Sequence, residues 1–168
     1  MKPDRSRVLS EGLIAGLAGY AVVVLFYGVL NVLAGESFFA TAAALGAGLV
    51  PETGSGGAVG AVFAFNGLHI LAFLVVGLVA AWLAMRTERQ PSFFVLALFI
   101  GVAGLFAVMA GFLSFAAQSG VQLPIGSVFA ANLLAGVVMG AYLLKVHPRL
   151  WPEIRDHLDP EEEHPVPH

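Results

Sequence analysis

The sequence predicts an all-α fold, a four-helix transmembrane bundle with both termini on the cytoplasmic side. Three observations lead there. Hydrophobic residues make up 58% of the 168 residues and charged residues 11%, with a mean hydropathy of +0.87, a composition foreign to soluble domains. Four apolar runs, at about 9–34, 58–85, 93–117 and 124–144, each reach the roughly 20 residues a helix needs to cross about 30 Å of hydrocarbon. All eight Lys and Arg residues fall in three places: Lys2, Arg5 and Arg7 before the first run, Arg86 and Arg89 between the second and third, and Lys145, Arg149 and Arg155 after the fourth. That alternation is the positive-inside pattern of a four-span membrane protein with both termini in the cytoplasm. The runs do not alternate polar and apolar residues, so a transmembrane barrel is not indicated.

The first element opens near Pro3 and Asp4, with Asp4 suited to the N-cap. Arg7 and Glu11 are one turn apart and form a plausible i,i+4 pair. The run that follows is too long for the apolar core of a cleavable signal peptide, and no charged soluble domain comes after it.

Between the first two spans, Phe38–Val50 is too apolar for a solvated linker and too short to span. It predicts an external interfacial or re-entrant helix, with Thr41 as a potential N-cap and Pro51 as its end. Glu52–Gly57 reads as a Gly/Ser turn. The second and third spans are joined by the tight Arg86–Pro91 connection, which makes them antiparallel neighbours, and Trp82 and Tyr142 fall where an interfacial aromatic belt belongs.

The chain divides into a membrane domain, 1–145, and a cytoplasmic tail, 146–168. In the tail, Leu150, Ile154 and Leu158 recur every four residues beside Trp151, the pattern of a short helix on the inner leaflet. Beyond it, Asp159–His168 is acidic and proline-rich, as in a disordered segment. His147, His157, His164 and His168 read as incidental histidines of a solvated tail.

Lipid is as apolar as Leu, so helices in it associate through close packing of small residues. Small residues one turn apart occur on every span: Gly12/Gly16, Ala15/Gly19, Gly60/Ala64, Gly77/Ala81, Ala103/Ala107/Gly111, Ser127/Ala131/Ala135 and Gly136/Gly140. Some of these ridges hold the bundle together, and the others are free for a second subunit.

Polar groups within spans are candidates for a functional site, because burying one without a partner costs free energy. The candidate ligand-binding set is His69, Asn66, Asn132, Tyr27, Asn31 and Ser114, all placed by helical rise in the outer half of the membrane. Asn66 and His69, three residues apart, share a helix face. An imidazole that can donate, accept or ligate suits a quinone, haem or small solute. The same groups equally suit mutual hydrogen bonds that fix helix register.

A bis-histidine haem needs a second intramembrane His, which the spans lack, and no span carries an Asp or Glu at mid-depth for ion-coupled transport. Too few His and carboxylate ligands lie in the spans for a metal. With no Cys there is neither a disulfide nor a thiolate nucleophile, and neither a nucleophile elbow nor a phosphate-binding loop is present. No cofactor, no metal and no enzymatic activity are therefore expected. No basic surface suits nucleic acid.

The run Phe38-Phe39, Thr41 and Leu45-Gly46, followed by Asn66–Phe73 and by Asn132 through Gly136, Gly140 and Tyr142, resembles a group of small four-span bacterial inner-membrane proteins of no established activity. The resemblance implies the architecture and no mechanism. The leading expectation is an accessory or subunit protein that acts by packing against membrane partners or a second copy of itself. The alternative is a small-molecule binding or transport protein that uses the polar pocket around His69.

Overall fold

The computed structural model describes residues 5–50, 57–90, 93–118, 120–152 and 155. All regular structure among them is helical: α1 (Arg5–Leu33), α2 (Ala40–Ala47), α3 (Gly57–Arg89), α4 (Phe93–Gln118) and α5 (Ile125–Val146). Four of these, α1, α3, α4 and α5, are long and apolar enough to cross a membrane. Pro3, Asp4, Pro51, residues 52–56 of the Glu52–Gly57 turn, Ile154, Leu158 and the acidic segment Asp159–His168 lie outside the described residues.

Helix ends follow from local chemistry. Arg86 and Arg89 lie in the last turn of α3 and Lys145 in that of α5, where cations complement the helix dipole. These ends, together with the start of α1, form one basic end of the bundle.

At the opposite end, α1 closes through a Schellman turn. Glu36 N–H donates to Asn31 O and Gly35 N–H to Val32 O, which requires the left-handed φ of +78° at Gly35. The end of α4 repeats the arrangement, with Val121 N–H on Ala116 O, Gly120 N–H on Ala117 O and φ of +72° at Gly120. Neither position tolerates a β-carbon without strain.

The centre of the structure is the contact of α1 with α3 and α5, while α2 lies on α3 and α4 touches its neighbours lightly. Small residues set the α1–α3 approach. A methyl group at Gly12 would come within 2.7 Å of Leu78 Cα, and one at Gly77 would overlap the Gly12 carbonyl and the Gly16 amide. Ala15 and Ala81 beside them are fully buried, packed with Met139 and Leu143 of α5. On α5 the Ala131/Ala135 ridge faces inward, whereas Gly136 and Gly140 have open space before them, as do Gly101, Gly104 and Gly111 of α4. Only some of the small-residue ridges therefore pack within the chain. Apart from Ala116, no described residue of α4 is buried.

The segment between the first two spans forms a two-turn helix pressed against α3. Leu45 is fully buried and Gly46 meets the Ala61 carbonyl. Its N-cap is Phe39, not Thr41, and no side-chain bond caps it. Thr41 lies inside the first turn and donates to Asn31 Oδ1 at 2.8 Å, while Asn31 Nδ2 donates to the Phe38 carbonyl at 3.0 Å. Asn31 thus satisfies groups at the start of α2 and fastens it to α1. The Phe38 ring lies on Gly28, where any β-carbon would collide with it.

Candidate functional site

A cavity of about 230 Å³ opens among α1, α3, α4 and α5. His69 is on its wall, twelve residues into α3, roughly 18 Å along the helix axis. Residues at helical spacing build most of the wall, Val23 and Tyr27 on α1, Phe65, His69 and Ala72 on α3 and Phe112 and Phe115 on α4, and the adjacent Ala131 and Asn132 of α5 complete it. A smaller pocket of about 30 Å³ beneath α2 shares Val23, Tyr27, Phe65, His69 and Phe112 with it and adds Asn31 and Asn66.

The imidazole of His69 is held in an aromatic cage. Phe65 stacks on it at 5.2 Å between centroids and 23° between planes, and Phe73 meets it edge-on at 5.1 Å. Phe112 and Tyr20 complete the ring of neighbours at 6.1 Å and 6.2 Å. Phe65, His69 and Phe73 are spaced by one helical turn each, so the stack follows from the register of α3 alone.

Two polar atoms on residues that line the cavity are buried without partners: His69 Nε2 and Tyr27 Oη. Ser127 lies close to the Tyr27 hydroxyl but outside hydrogen-bonding geometry. A buried donor or acceptor left unpaired costs about 1–3 kcal/mol. Such groups at a cavity wall are positioned to meet a guest.

The remaining candidates divide. Asn66 is engaged, accepting from the Tyr20 hydroxyl at 2.8 Å and donating to the Val62 carbonyl at 2.8 Å. Asn132 lines the large cavity with His69, but its amide donates back to Val128 of its own helix. Asn31 is committed to α2, as described above. Ser114 is exposed, folds its hydroxyl onto Ala110 O, and lines neither cavity. The structure therefore joins His69, Tyr27 and Asn132 at one cavity, with Asn66 and Asn31 in the wall beneath α2, and leaves Ser114 outside.

The phenylalanine cage is not among the candidates read from the sequence. The turn-by-turn spacing of Phe65 and Phe73 about His69 is the signal that marks them. Among the described residues no group of three or more His, Asp or Glu is disposed to hold a metal ion.

No family model, curated protein or solved structure matches the chain. Its function is therefore argued from this geometry.

Proposed function

We propose that this chain is a four-span protein of a bacterial inner membrane that binds a lipid-soluble aromatic molecule bearing a carbonyl or hydroxyl group, of the quinone or phenol class, in the cavity around His69. The observation that carries the reading is the pair of unpartnered buried atoms, His69 Nε2 and Tyr27 Oη, on residues that line one aromatic cavity. An apolar cavity of about 150 Å³ accepts benzene, so about 230 Å³ accommodates a substituted ring. The tyrosine O–H donates to a carbonyl, and the imidazole nitrogen accepts from a hydroxyl or donates to a carbonyl according to its tautomer. Stacking on Phe65, Phe112 and Phe115 favours a planar guest.

The orientation proposed is N-in and C-in. It is supported by the gathering of Arg5, Arg7, Arg86, Arg89, Lys145 and Arg149 at one end of the bundle. The cavity and α2 then belong to the outer half of the bilayer, and the likeness to small four-span inner-membrane proteins fits the same placement.

Calorimetric titration of the purified full chain in detergent with a benzoquinone carrying a short alkyl tail tests the binding. Saturable 1:1 binding is expected, weakened about tenfold by His69→Leu and by Tyr27→Phe, since one buried hydrogen bond contributes about 1 kcal/mol or somewhat more. Ser114→Ala is expected to bind as the parent does. Absence of saturable binding, or full retention in His69→Leu, refutes the proposal.

A second reading, a subunit that packs against membrane partners, draws on the exposure of α4 and the open Gly101, Gly104 and Gly111. Lipid covers such a face equally well, so the cavity reading leads. A stable, partner-free monomer in mild detergent would remove the second reading.

A further inference from the structure

A second buried polar cluster lies at the basic end, far from the cavity. His147, the first residue after α5, is fully buried. Its Nε2 lies 2.8 Å from Glu11 Oε2 of α1, and its Nδ1 lies 2.8 Å from Glu88 Oε2 of α3. Arg7 approaches from the other side of Glu11, with Nε donating to Oε1 at 2.6 Å and Nη2 donating to the Val146 carbonyl at 3.0 Å. One imidazole thus joins three helices.

The proton count follows from the geometry. A neutral imidazole has one N–H and one bare lone pair. With both ring nitrogens against carboxylate oxygens, a neutral ring would aim its lone pair at an anionic oxygen. The cluster would then carry Arg7 against two carboxylates, a net negative charge at a buried site, which is costly. One further proton on the ring removes both penalties. Imidazolium and guanidinium then balance the two carboxylates, and every short contact becomes a donor meeting an acceptor.

We propose that Glu11, His147 and Glu88 form a proton-operated lock that fastens the C-terminal tail to the bundle, closed while His147 carries protons on both nitrogens. The tail is tied in through His147 itself, whose carbonyl accepts from the Leu150 amide at 3.1 Å, and through Leu150, which is buried. The doubly protonated ring closes the lock because each N–H donates to a carboxylate, and a bare ring nitrogen facing a carboxylate oxygen opens it.

The charges that face His147 are Glu11 with Arg7 behind it from α1, and Glu88 from α3. Of the other described charges at this end, the Arg86 guanidinium lies over the Phe93 ring at 5.0 Å, and Arg5, Arg89, Lys145, Arg149 and Arg155 are exposed. No ligand is invoked, and the lock stands or falls independently of the cavity.

The chain has no Cys, so spin labels placed by Ser10→Cys and Arg149→Cys, both exposed positions, report the distance between α1 and the tail in the full chain in nanodiscs. A narrow distance distribution is expected at neutral pH. It gives way reversibly to a broad, longer one on moving to alkaline pH.

Glu88→Gln in the labelled chain distinguishes the lock from general alkaline loosening. A glutamine amide can donate to a bare Nδ1 while Nε2–H still serves Glu11, so this variant is expected to keep the narrow distribution at both pH values. The ring ¹⁵N signals of His147, assigned by their loss in His147→Gln, are expected to show protons on both nitrogens at neutral pH. An unchanged parental distance at alkaline pH, opening of Glu88→Gln alongside the parent, or a bare ring nitrogen at neutral pH would each overturn the proposal.

Discussion

Polar side chains within the spans differ in whether their hydrogen-bonding atoms are already committed. Asn31 uses both ends of its amide to hold the start of α2, so it fixes architecture. His69 Nε2 and Tyr27 Oη have no such commitments. Replacing Asn31 by Leu leaves the Phe38 carbonyl and the Thr41 hydroxyl without their donor and acceptor. With interhelical hydrogen bonds in membranes each contributing about 0.6 kcal/mol, a loss of about 1 kcal/mol is expected. Hydrogen exchange over Phe38–Ala47 should quicken while α5 is unaffected, and uniform protection in both would show that Asn31 is not the fastening. Local pairs are legible in the sequence. The Arg7–Glu11 ion pair, separated by one turn, is present at 2.6 Å. His147 was illegible for the opposite reason, since its partners lie 59 and 136 residues away and a histidine before Pro148 in a tail reads as solvated. The Tyr20–Asn66 bond, across 46 residues, was hidden in the same way.

At the scale of helices, the small-residue ridges show what a sequence can and cannot assign. Spacing finds every ridge, but only the fold says which ones meet. Gly12, Gly16 and Gly77 lie in backbone contact, whereas Gly101 and Gly104 have open space before them, although all look alike in sequence. Gly77→Val is expected to force α1 and α3 apart at a cost of about 2 kcal/mol, the usual range for overpacking. Gly104→Val should stay within about 0.5 kcal/mol of the parent, as an exposed substitution does. Unfolding in graded SDS measures both, and equal effects would mean that the α1–α3 crossing is not the stabilising contact. Likewise the short helix before α3 was legible from its apolarity, but its cap was not. Thr41 is a good N-cap by residue type, yet the acceptor side of Asn31 takes its hydroxyl one position inside the helix.

Over the whole molecule, helix existence follows from the solvent. Hydrocarbon offers the backbone no hydrogen bonds, so an apolar run long enough to cross must satisfy its own, which it does as a helix. The convergence of His69, Tyr27 and Asn132 on one cavity depends on how α1, α3 and α5 are rotated about their axes, and a chain that is apolar on nearly every face carries little periodicity to set that rotation. Sidedness rests on a different physics, the resistance of Lys and Arg to translocation. Both ends of the described chain and the α3–α4 connection lie together at the basic end, and the α1–α2 and α4–α5 connections lie at the other. Because the chain lacks Cys, single thiols at the exposed positions Gln90, Ser37 and Gln122 report each side separately. A membrane-impermeant maleimide applied to intact spheroplasts should label Ser37→Cys and Gln122→Cys at once, and Gln90→Cys only after permeabilisation. Labelling of Gln90→Cys from outside would invert the protein, placing the His69 cavity in the inner half of the bilayer and the His147 cluster on the outer face.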